Sequence, residues 1–256
     1  MTGFSLERYL QRIRFQGMPA ADMATVAAIM RAQLMEVPFE NLDIQAGRTI
    51  SMNADDIVDK IIGRYRGGYC FEVNGLFSMA LEALHIPYRL IAARPMTHQG
   101  IRKPKTHMAL VVQCDDEHWL CDCGFGGYGI RAPLRLSRPG VSVDQDGEFF
   151  KVSLSDEGEL TLSSLVHDVW EDQYAFDLTP HHWIDFIPAN YYNSTHPDSL
   201  FVKKLLIVRC TDTGRKILFG NSLKIVEGGR TEKLFLHADN RAQILREHFG
   251  LTWPLA

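Results

Sequence analysis

The sequence predicts an α+β protein with a helical first third, a β-rich middle and a mixed end. Up to about residue 86, apolar residues recur with the three- to four-residue period of an amphipathic helix. After Pro87 the chain changes to short β-rich runs separated by turn residues, which is typical of an antiparallel sheet or small barrel. From about Ser199 both patterns occur, and we expect strands followed by a closing helix.

The composition is that of an ordinary globular protein. Hydrophobic residues make up 46% of the 256 residues, and the net charge of −4 gives no indication of nucleic-acid binding. No apolar run is long enough for a membrane helix, and the N-terminus lacks the apolar core of a signal peptide. We therefore expect a cytoplasmic protein with no nucleic-acid or membrane partner. Because the cysteine number is odd, we expect no disulfide framework.

Three helices are predicted in the first third. Asp22 is the expected N-cap of the first helix, which ends before Pro38 because the residue before a proline avoids the helical region. Asn53 is the expected N-cap of the second. The third begins near Cys70. Its apolar residues recur with a strong helical period, which predicts packing into a core: Val73, Leu76, Phe77, Ala80, Leu81 and Leu84.

Short strands are predicted in the middle and near the end of the chain. The first set covers residues 88–96, 107–114, 118–125, 147–154 and 158–165. The second set is three strands at 200–210, 215–227 and 232–238, followed by a helix over 240–251 with Gly250 at its C-terminal end. The long aromatic segment 177–199 is expected to be irregular and to wrap between structural units.

Cys70 is the candidate nucleophile. It follows Gly67 and Gly68, which permit a close-approach turn, and it stands at the first turn of the third predicted helix. A helix N-terminus carries partial positive charge and unpaired N–H groups. We therefore expect this position to lower the pKa of the thiol and to stabilise an oxyanion. The alternative is a buried, unreactive cysteine, and the spacing alone leaves both interpretations open.

His107 and Asp122 are the candidate base and the carboxylate that orients it. Residues 106–123 have the pattern of a hairpin with a two-residue loop at Asp115-Asp116. In that register His107 lies opposite Gly124, and Asp122 is its diagonal neighbour on the same face, within reach of a hydrogen bond. The competing interpretation is a polar pair without a catalytic role.

The remaining cysteines and a glycine-rich segment also have competing interpretations. Cys121 and Cys123, with the nearby His118, suggest part of a metal site, but no second ligand pair occurs at zinc spacing. We therefore expect two small core side chains and no metal. The segment CGFGGYG suits a phosphate contact but lacks the Walker lysine and the dinucleotide fingerprint, so a simple strand-end loop is the alternative. Two further cysteines in apolar strands are expected in the core: Cys114 and Cys210.

Four sequence blocks resemble one enzyme family. They are VPFENLDI (Val37–Ile44), RGGYCFEVN (Arg66–Asn74), THMALVV (Thr106–Val112) and DCGFGG (Asp122–Gly127), with later similarity at residues 191–201 and 245–251. Their order and spacing resemble the arylamine N-acetyltransferases of bacteria, and the likeness spans nearly the whole chain. The departures are small. Tyr69 stands where many relatives have tryptophan, and Cys121 and Cys123 replace the usual aliphatic residues.

The resemblance implies an enzyme that transfers an acetyl group from acetyl-CoA to an arylamine or arylhydrazine. It implies a cysteine-protease-like triad of Cys70, His107 and Asp122, and a ping-pong mechanism through an acetyl-cysteine thioester. It also implies three units: a helical bundle over 1–86 that carries the cysteine, an antiparallel β-barrel over 87–198 that carries the histidine and the aspartate, and an α/β lid over 199–256.

The same resemblance assigns further residues to binding or support. Phe125 is expected to line the acceptor pocket. Arg66 and Glu40 are expected to form a structural ion pair that supports the site. The loop expected near the pyrophosphate of CoA comprises Gly124, Gly126 and Gly127.

Functions of other classes share these residues. A thiol hydrolase, a transglutaminase-like enzyme or an amide synthase would use the same Cys-His-Asp geometry. A binding module that keeps the fold without catalysis is a third class. A gain of acetyl mass on Cys70 separates the acetyltransferase from the others. We assign no oligomeric state and no particular amine from the sequence.

Overall fold

The computed structural model describes residues 3–96 and 103–252, and its element order is α+β, as the sequence predicts. These residues contain eight α-helices: α1 (Leu6–Arg12), α2 (Met23–Glu36), α3 (Leu42–Gln45), α4 (Ala54–Val58), α5 (Cys70–Ala83), α6 (Ile187–Thr195), α7 (Leu200–Lys203) and α8 (Arg241–Phe249). They also contain thirteen strands: β1 (Phe39–Glu40), β2 (Tyr88–Pro95), β3 (His107–Cys114), β4 (Glu117–Cys121), β5 (Leu134–Arg135), β6 (Val143–Gln145), β7 (Glu148–Leu154), β8 (Leu160–Val166), β9 (Val169–Phe176), β10 (Leu206–Thr211), β11 (Gly214–Phe219), β12 (Ser222–Glu227) and β13 (Arg230–Phe235).

The predicted N-caps of the early helices are present. The carboxylate of Asp22 accepts a hydrogen bond from the Thr25 N–H at 2.7 Å at the start of α2. The side chain of Asn53 caps α4 in the same way, accepting from the Asp55 N–H at 2.8 Å. Helix α4 continues into a π-helical turn, Asp59–Gly63, which the sequence does not predict. These caps satisfy N–H groups that a helix start otherwise leaves unpaired.

Helix α5 is buried on almost every side, as its apolar period predicts. Every residue from Cys70 to Ser78 is buried, and the helix packs against β3. The Glu72 carboxylate accepts a hydrogen bond from the Tyr69 N–H at 3.0 Å, which satisfies a donor at the helix start. The first turn of α5 is therefore held in the interior between the helical segment and the large sheet.

The large sheet is antiparallel and barrel-like, with the strand order β5-β4-β3-β2-β9-β8-β7-β6. Its longest strands include the predicted ones at 88–96, 107–114, 147–154 and 158–165. Strand β9, which was not predicted from the sequence, lies between β2 and β8. The polar run Glu171–Gln173 interrupts the apolar pattern there. The predicted strand at 118–125 ends at Cys121, so Asp122 stands at the start of a loop.

The hairpin that joins β3 to β4 has the predicted register. Cys114 pairs with Glu117, and the two loop residues between them are Asp115 and Asp116. Both have positive φ, 51° and 59°, which is the geometry of a type I′ turn. The register places position 107 on the same face as position 122, as the two-residue loop predicts.

The second sheet differs from prediction in two places. Its order is β1-β10-β11-β12-β13, so it has four strands after residue 199 rather than three. The predicted strand at 200–210 begins with a helical turn, α7, which Ser199 caps by accepting from the Phe201 N–H at 3.2 Å. The predicted strand at 215–227 is two strands, because Gly220 takes a φ of +60° and forms a two-residue turn with Asn221.

The segment 177–199 is more regular than predicted, and two of its side chains bond to the backbone of the helical first third. It contains a 3₁₀ turn, Trp183–Phe186, and then helix α6 with a proline at its start. Trp183 Nε1 donates to the Met52 carbonyl at 2.9 Å. Asn190 Nδ2 donates to the Ile50 carbonyl at 2.8 Å. The unit boundaries at residues 86 and 198 remain predictions, and β1, from the helical third, pairs with β10 in the C-terminal sheet.

Helix α8 closes the C-terminal sheet as predicted. Gly250 follows it with a φ of +68°, and its N–H donates to the Arg246 carbonyl at 3.0 Å. Leu245 and Phe249 belong to a small core of their own with Ile207 and neighbouring strand residues. No helix in residues 3–96 and 103–252 combines the length and the apolar character needed to cross a membrane.

Candidate active site

Cys70 lies where the start of α5 meets the start of β3. Only 2% of its surface is exposed. The backbone N–H groups of Phe71 and Met108 point at its sulfur, and the Thr106 carbonyl oxygen lies 4.0 Å from Sγ. The nucleophile candidate is thus held by backbone groups from both a helix and a strand.

The two glycines before Cys70 allow a close passage of two backbone segments. A Cβ added to Gly67 would lie 2.0 Å from the Pro38 carbonyl oxygen, and one added to Gly68 would lie 2.7 Å from Glu72 Cβ. The Glu40 N–H donates to the Gly68 carbonyl at 2.9 Å, which holds the passage together. Neither glycine has a positive φ, so the requirement is for space rather than for a left-handed turn.

His107 and Asp122 are in direct contact, as the hairpin register predicts. His107 Nε2 lies 2.7 Å from Asp122 Oδ2, and both side chains are buried. Asp122 Oδ1 accepts hydrogen bonds from Asn74 Nδ2 at 2.9 Å and from the Gly124 N–H at 2.8 Å. Burial acts to raise the pKa of Asp122, but these three partners outweigh it and hold the pKa below its ordinary value.

Asn74 is a residue of the site that was not predicted from the sequence. Its Nδ2 also donates to the Met108 carbonyl at 2.6 Å, and its Oδ1 accepts from the Cys123 N–H at 2.8 Å. It stands four residues after Cys70 and therefore on the same face of α5. The signal in the sequence that points to it is a polar residue one helical turn after the candidate nucleophile, next to the apolar positions Val73, Leu76 and Phe77.

The pKa of Cys70 departs from the sequence expectation. Burial raises the pKa of the thiol, the charge of Asp122 raises it further, and the N–H groups of Phe71 and Met108 lower it by less. The helix terminus alone therefore does not lower this pKa, contrary to expectation. A thiolate at this position requires a cation beside it, and His107 lines the same cleft.

An open cleft of about 500 Å³ leads to this group of residues. Cys70, His107 and Phe125 line it, and residues of α6 and α7 also contribute to its walls, including Tyr192 and Phe201. The Phe125 ring lies edge-on to the His107 ring with centroids 5.4 Å apart. Phe125 thus gives the cleft an aromatic wall, and its contact with the acceptor remains a prediction.

The three glycines expected near CoA have different positions. Gly124 and Gly126 line the cleft, whereas Gly127 lines a small cavity of about 30 Å³ next to it. A Cβ on Gly124 would lie 2.9 Å from Cys70 Cα. Gly126 has a φ of +73°, and a Cβ there would lie 2.5 Å from the Phe39 ring. Packing therefore explains Gly124 and Gly126, and a phosphate contact by this loop remains a prediction.

The predicted ion pair of Arg66 and Glu40 is present and belongs to a larger buried cluster. Arg66 Nη2 lies 2.7 Å from Glu40 Oε1 and 3.1 Å from Asp43 Oδ2. Lys60 Nζ lies 2.7 Å from both Asp43 Oδ2 and Glu72 Oε1. Burial acts to lower the pKa of Lys60, but the neighbouring carboxylates outweigh it and raise the pKa. Because Glu72 belongs to α5, the cluster anchors the helix that carries Cys70.

A second buried cluster fixes the loop that follows Asp122. Arg215, on β11, donates to the Gly129 carbonyl at 3.0 Å and lies 2.7 Å from Glu148. Arg131, just after the loop, donates to the Gly214 carbonyl at 2.6 Å and lies 3.0 Å from the same Glu148. Each arginine thus reaches across to the other's backbone segment. These contacts tie the loop to the C-terminal sheet, and no local sequence pattern indicates them.

The other four cysteines lie among packed side chains, outside the lining of the active-site cleft. Cys121, Cys123 and Cys210 are buried, as expected, but Cys114 is only partly buried because it adjoins the hairpin turn. His118 does not join them: its Nε2 lies 2.6 Å from the Arg89 guanidinium. In the part of the chain that the structure describes, no group of three or more His, Cys, Asp or Glu side chains is arranged to hold a metal ion.

Comparison with known proteins agrees with this geometry. A family model described as N-acetyltransferase matches residues 22–255. The chain belongs to the arylamine N-acetyltransferase family. It is 32% identical to the arylamine N-acetyltransferase / N-hydroxyarylamine O-acetyltransferase of Salmonella typhimurium, over 98% of this chain and 90% of that protein. It is 34% identical to the arylamine N-acetyltransferase of Mycobacterium tuberculosis, over 96% of this chain and 89% of that protein.

Solved structures of this family share the fold. The arylamine N-acetyltransferase of Salmonella typhimurium superposes with a TM-score of 0.91 at 30% identity, covering 98% of this chain and 92% of that one. The Mycobacterium marinum arylamine N-acetyltransferase in complex with CoA gives a TM-score of 0.90 at 31% identity, covering 96% and 92%. Because the likeness extends over nearly the whole chain in both sequence and structure, the protein is an acetyltransferase enzyme of this family, and the non-catalytic alternative is set aside.

Proposed function

We propose that this arylamine N-acetyltransferase works by a ping-pong mechanism in which Cys70 carries the acetyl group as a thioester. The observation that supports it most is the buried His107–Asp122 hydrogen bond of 2.7 Å beside the cleft that contains Cys70. Acetyl-CoA is the donor, in keeping with the CoA complex of the Mycobacterium marinum relative. The acceptor is an aromatic amine or hydrazine.

Proton transfer from Cys70 to His107 starts the first half-reaction. Asp122 holds Nε2 of the imidazole, which leaves Nδ1 to take the thiol proton. The resulting imidazolium supplies the positive charge that the buried sulfur requires as a thiolate. Since Asp122 stays ionised, it also stabilises that imidazolium.

The thiolate then attacks the thioester carbonyl of acetyl-CoA. A bond forms between Cys70 Sγ and the acetyl carbon, and the bond to the CoA sulfur breaks. The departing CoA thiolate takes the proton from His107 and leaves as CoA thiol. Backbone N–H groups at the start of α5 are suited to stabilise the oxyanion of the intermediate. The exchange of one thioester for another is close to neutral in energy, so the acetyl group remains transferable.

The amine completes the second half-reaction. Its nitrogen attacks the acetyl carbon on Cys70, His107 takes a proton from the nitrogen, and the sulfur leaves and is reprotonated. The amide product then departs. Phe125, Tyr192 and Phe201 give the cleft aromatic surfaces, which favour a flat aromatic acceptor over a small aliphatic amine.

Mass spectrometry of the intact protein tests this proposal. Wild-type protein incubated with acetyl-CoA and no amine is expected to gain one acetyl group on Cys70, and a Cys70→Ala variant is expected to gain none. Addition of an aniline or arylhydrazine should remove the acetyl group and yield the acetylated acceptor. Wild-type protein that never gains the acetyl group, or a Cys70→Ala variant with near-normal turnover, would contradict the mechanism.

The competing acyl chemistries are separated by the fate of that thioester. A thiol hydrolase would release acetate in water at a rate that does not depend on the amine. An amide synthase would prefer an amine within the same molecule as the acyl group. A panel of substituted anilines and hydrazines with acetyl-CoA distinguishes these cases, because only the transferase rate rises with acceptor concentration.

A further inference from the structure

Helix α6 carries three buried polar side chains on one face. They stand three and four positions apart, which places them on the same side of the helix: Asn190, Asn193 and Ser194. The hydroxyl of Tyr69, the residue that precedes Cys70, donates to Asn190 Oδ1 and lies 3.4 Å from Ser194 Oγ. Two of the three side chains thus hold the chain just before the candidate nucleophile.

The third side chain, that of Asn193, bonds to the residue that precedes the candidate base. Its Nδ2 donates to the Thr106 carbonyl at 2.9 Å, and His107 follows Thr106 as the first residue of β3. Asn193 is buried and lines the active-site cleft. Its own backbone is fixed, since Ser199 Oγ donates to the Asn193 carbonyl at 2.7 Å. The end of α6 therefore holds the start of β3 at the point where His107 enters the site.

The Thr106 carbonyl also faces the candidate nucleophile. Its oxygen lies 4.0 Å from Cys70 Sγ, on the side from which it can accept from the thiol S–H. An acceptor beside the sulfur favours the thiol over the thiolate, because a thiolate has no proton to donate and is repelled by the carbonyl oxygen. The N–H of Asn193 bonds to the same oxygen and offsets part of its negative charge. The amide thus reduces the opposition of this carbonyl to thiolate formation.

Other ionisable groups act on the same sulfur. Burial raises the pKa of Cys70 most, and the carboxylates of Asp122 and Glu72 raise it further. Burial also raises the pKa of Tyr69, so its hydroxyl stays neutral. His107 lines the cleft beside Cys70 and can supply a positive charge. Three charged residues complete the lining: Lys103, Asp198 and Lys203. The nine residues of α6 include no charged side chain, so this helix acts on the sulfur through neutral polar groups.

We propose that Asn193 is a positioning residue for the acetylation of Cys70. By holding the Thr106 carbonyl, it keeps His107 in place and makes the thiolate easier to form beside that carbonyl. This inference rests on the proposed function, in which Cys70 passes its proton to His107 and then takes the acetyl group. The polar face of α6 thereby fixes the chain both before the nucleophile and before the base.

Removal of the amide donor tests this role. In Asn193→Ala we expect the midpoint of the iodoacetamide pH profile of Cys70, followed by peptide mass spectrometry, to rise by about 0.5–1 pH unit, the effect of one lost hydrogen bond. Acetylation of Cys70 by p-nitrophenyl acetate near neutral pH should be about three to ten times slower. A residue that only supports the fold would leave the midpoint unchanged, because the midpoint reports the ionisation of Cys70 in folded protein.

Two further variants separate the hydrogen bond from packing and from the stability of α6. Asn193→Leu keeps a branched side chain of similar length but lacks a donor, so the same upward shift is expected. Thr195→Ala is the matched control, because Thr195 Oγ1 donates to the Tyr191 carbonyl at 2.6 Å within α6 and does not line the active-site cleft. Its profile should match that of the wild type. A wild-type profile in either Asn193 variant, or an equal shift in Thr195→Ala, would overturn the proposal.

Wild-type protein keeps this test separate from that of the mechanism. If acetyl-CoA acetylates wild-type Cys70 but the Asn193 variants react as the wild type does, the positioning role is wrong and the proposed mechanism stands. If acetyl-CoA never acetylates wild-type Cys70, the mechanism itself fails. Acetylation of wild-type Cys70 together with a raised midpoint in both Asn193 variants supports both proposals.

Discussion

Asn74 Nδ2 donates to Asp122 Oδ1 at 2.9 Å, and this bond joins the helix of the candidate nucleophile to the carboxylate that orients the candidate base. Asn74 also bonds to the Met108 carbonyl and the Cys123 N–H. One side chain thus fixes α5, β3 and the loop after β4 relative to one another. The position of His107 against Cys70 depends on that arrangement.

Replacement of Asn74 is therefore expected to impair catalysis more than substrate binding. In Asn74→Ala we expect kcat to fall about tenfold to a hundredfold, because small displacements of catalytic groups are costly, while KM changes little. Ser78→Ala is the control, since Ser78 is a buried polar residue of the same helix whose hydroxyl donates to the Gly75 carbonyl at 2.8 Å and which does not line the active-site cleft. Equal kcat values in the two variants would show that Asn74 only supports the fold.

The reactivity of Cys70 with iodoacetamide is expected to depend on His107. Burial raises the pKa of the thiol, so without a cation the thiolate forms only at alkaline pH, above the ordinary value of about 8.5. If His107 is an imidazolium, its charge stabilises the thiolate, which is then present at a pH well below the ordinary thiol pKa of about 8.5. Alkylation rates from about pH 4 to 9 should show a low-pH reactive form in wild type and its loss in His107→Gln. Identical profiles would contradict the ion-pair activation.

The buried cluster around Lys60 is expected to be important for stability. Lys60→Met removes the partner of Glu72 and Asp43 in the interior, and we expect a loss of about 3–5 kcal/mol in the free energy of unfolding. Arg48→Met is the matched control, because Arg48 lies 3.5 Å from the same Asp43 but is half exposed. That variant should lose about 0–1 kcal/mol. Urea unfolding measures both, and similar losses would refute the role of burial.

We expect Tyr69 to hold helix α6, which lines the active-site cleft, in the position that binds the acceptor amine. Its hydroxyl donates to Asn190 Oδ1 and lies 3.4 Å from Ser194 Oγ, both on α6. Tyr69→Phe frees that helix from the residue before Cys70. We expect the KM for the amine to rise about fivefold, equivalent to one hydrogen bond of about 1 kcal/mol.

Tyr9→Phe is the control for this variant. The Tyr9 hydroxyl is also buried and donates to Gln33 Oε1 at 2.8 Å, but Gln33 lies on α2, whereas the partners of Tyr69 lie on α6, which lines the active-site cleft. If both variants raise the amine KM equally, or neither does, the proposed role of Tyr69 is wrong.

Local patterns predicted most of the elements that position the site. The N-caps at Asp22 and Asn53, the start of α5 and the two-residue hairpin loop are all present. The hairpin register was enough to predict the contact of His107 with Asp122, because side chains alternate strictly between the two faces of a strand. The errors occurred where the local signal is mixed, as in β9 with its charged residues and in the Gly220-Asn221 turn.

By itself, the sequence determined the fold class, the family and the three candidate catalytic residues, because caps, periods and motif blocks are short-range features. The tertiary structure decided the rest. It joined Asn74 to Asp122 and enlarged the Arg66–Glu40 pair into a cluster of five residues. It also showed that burial and the charge of Asp122 raise the pKa of the Cys70 thiol by more than the N–H groups of Phe71 and Met108 lower it. These features depend on burial and on contacts between distant residues, and both arise only when the chain is folded.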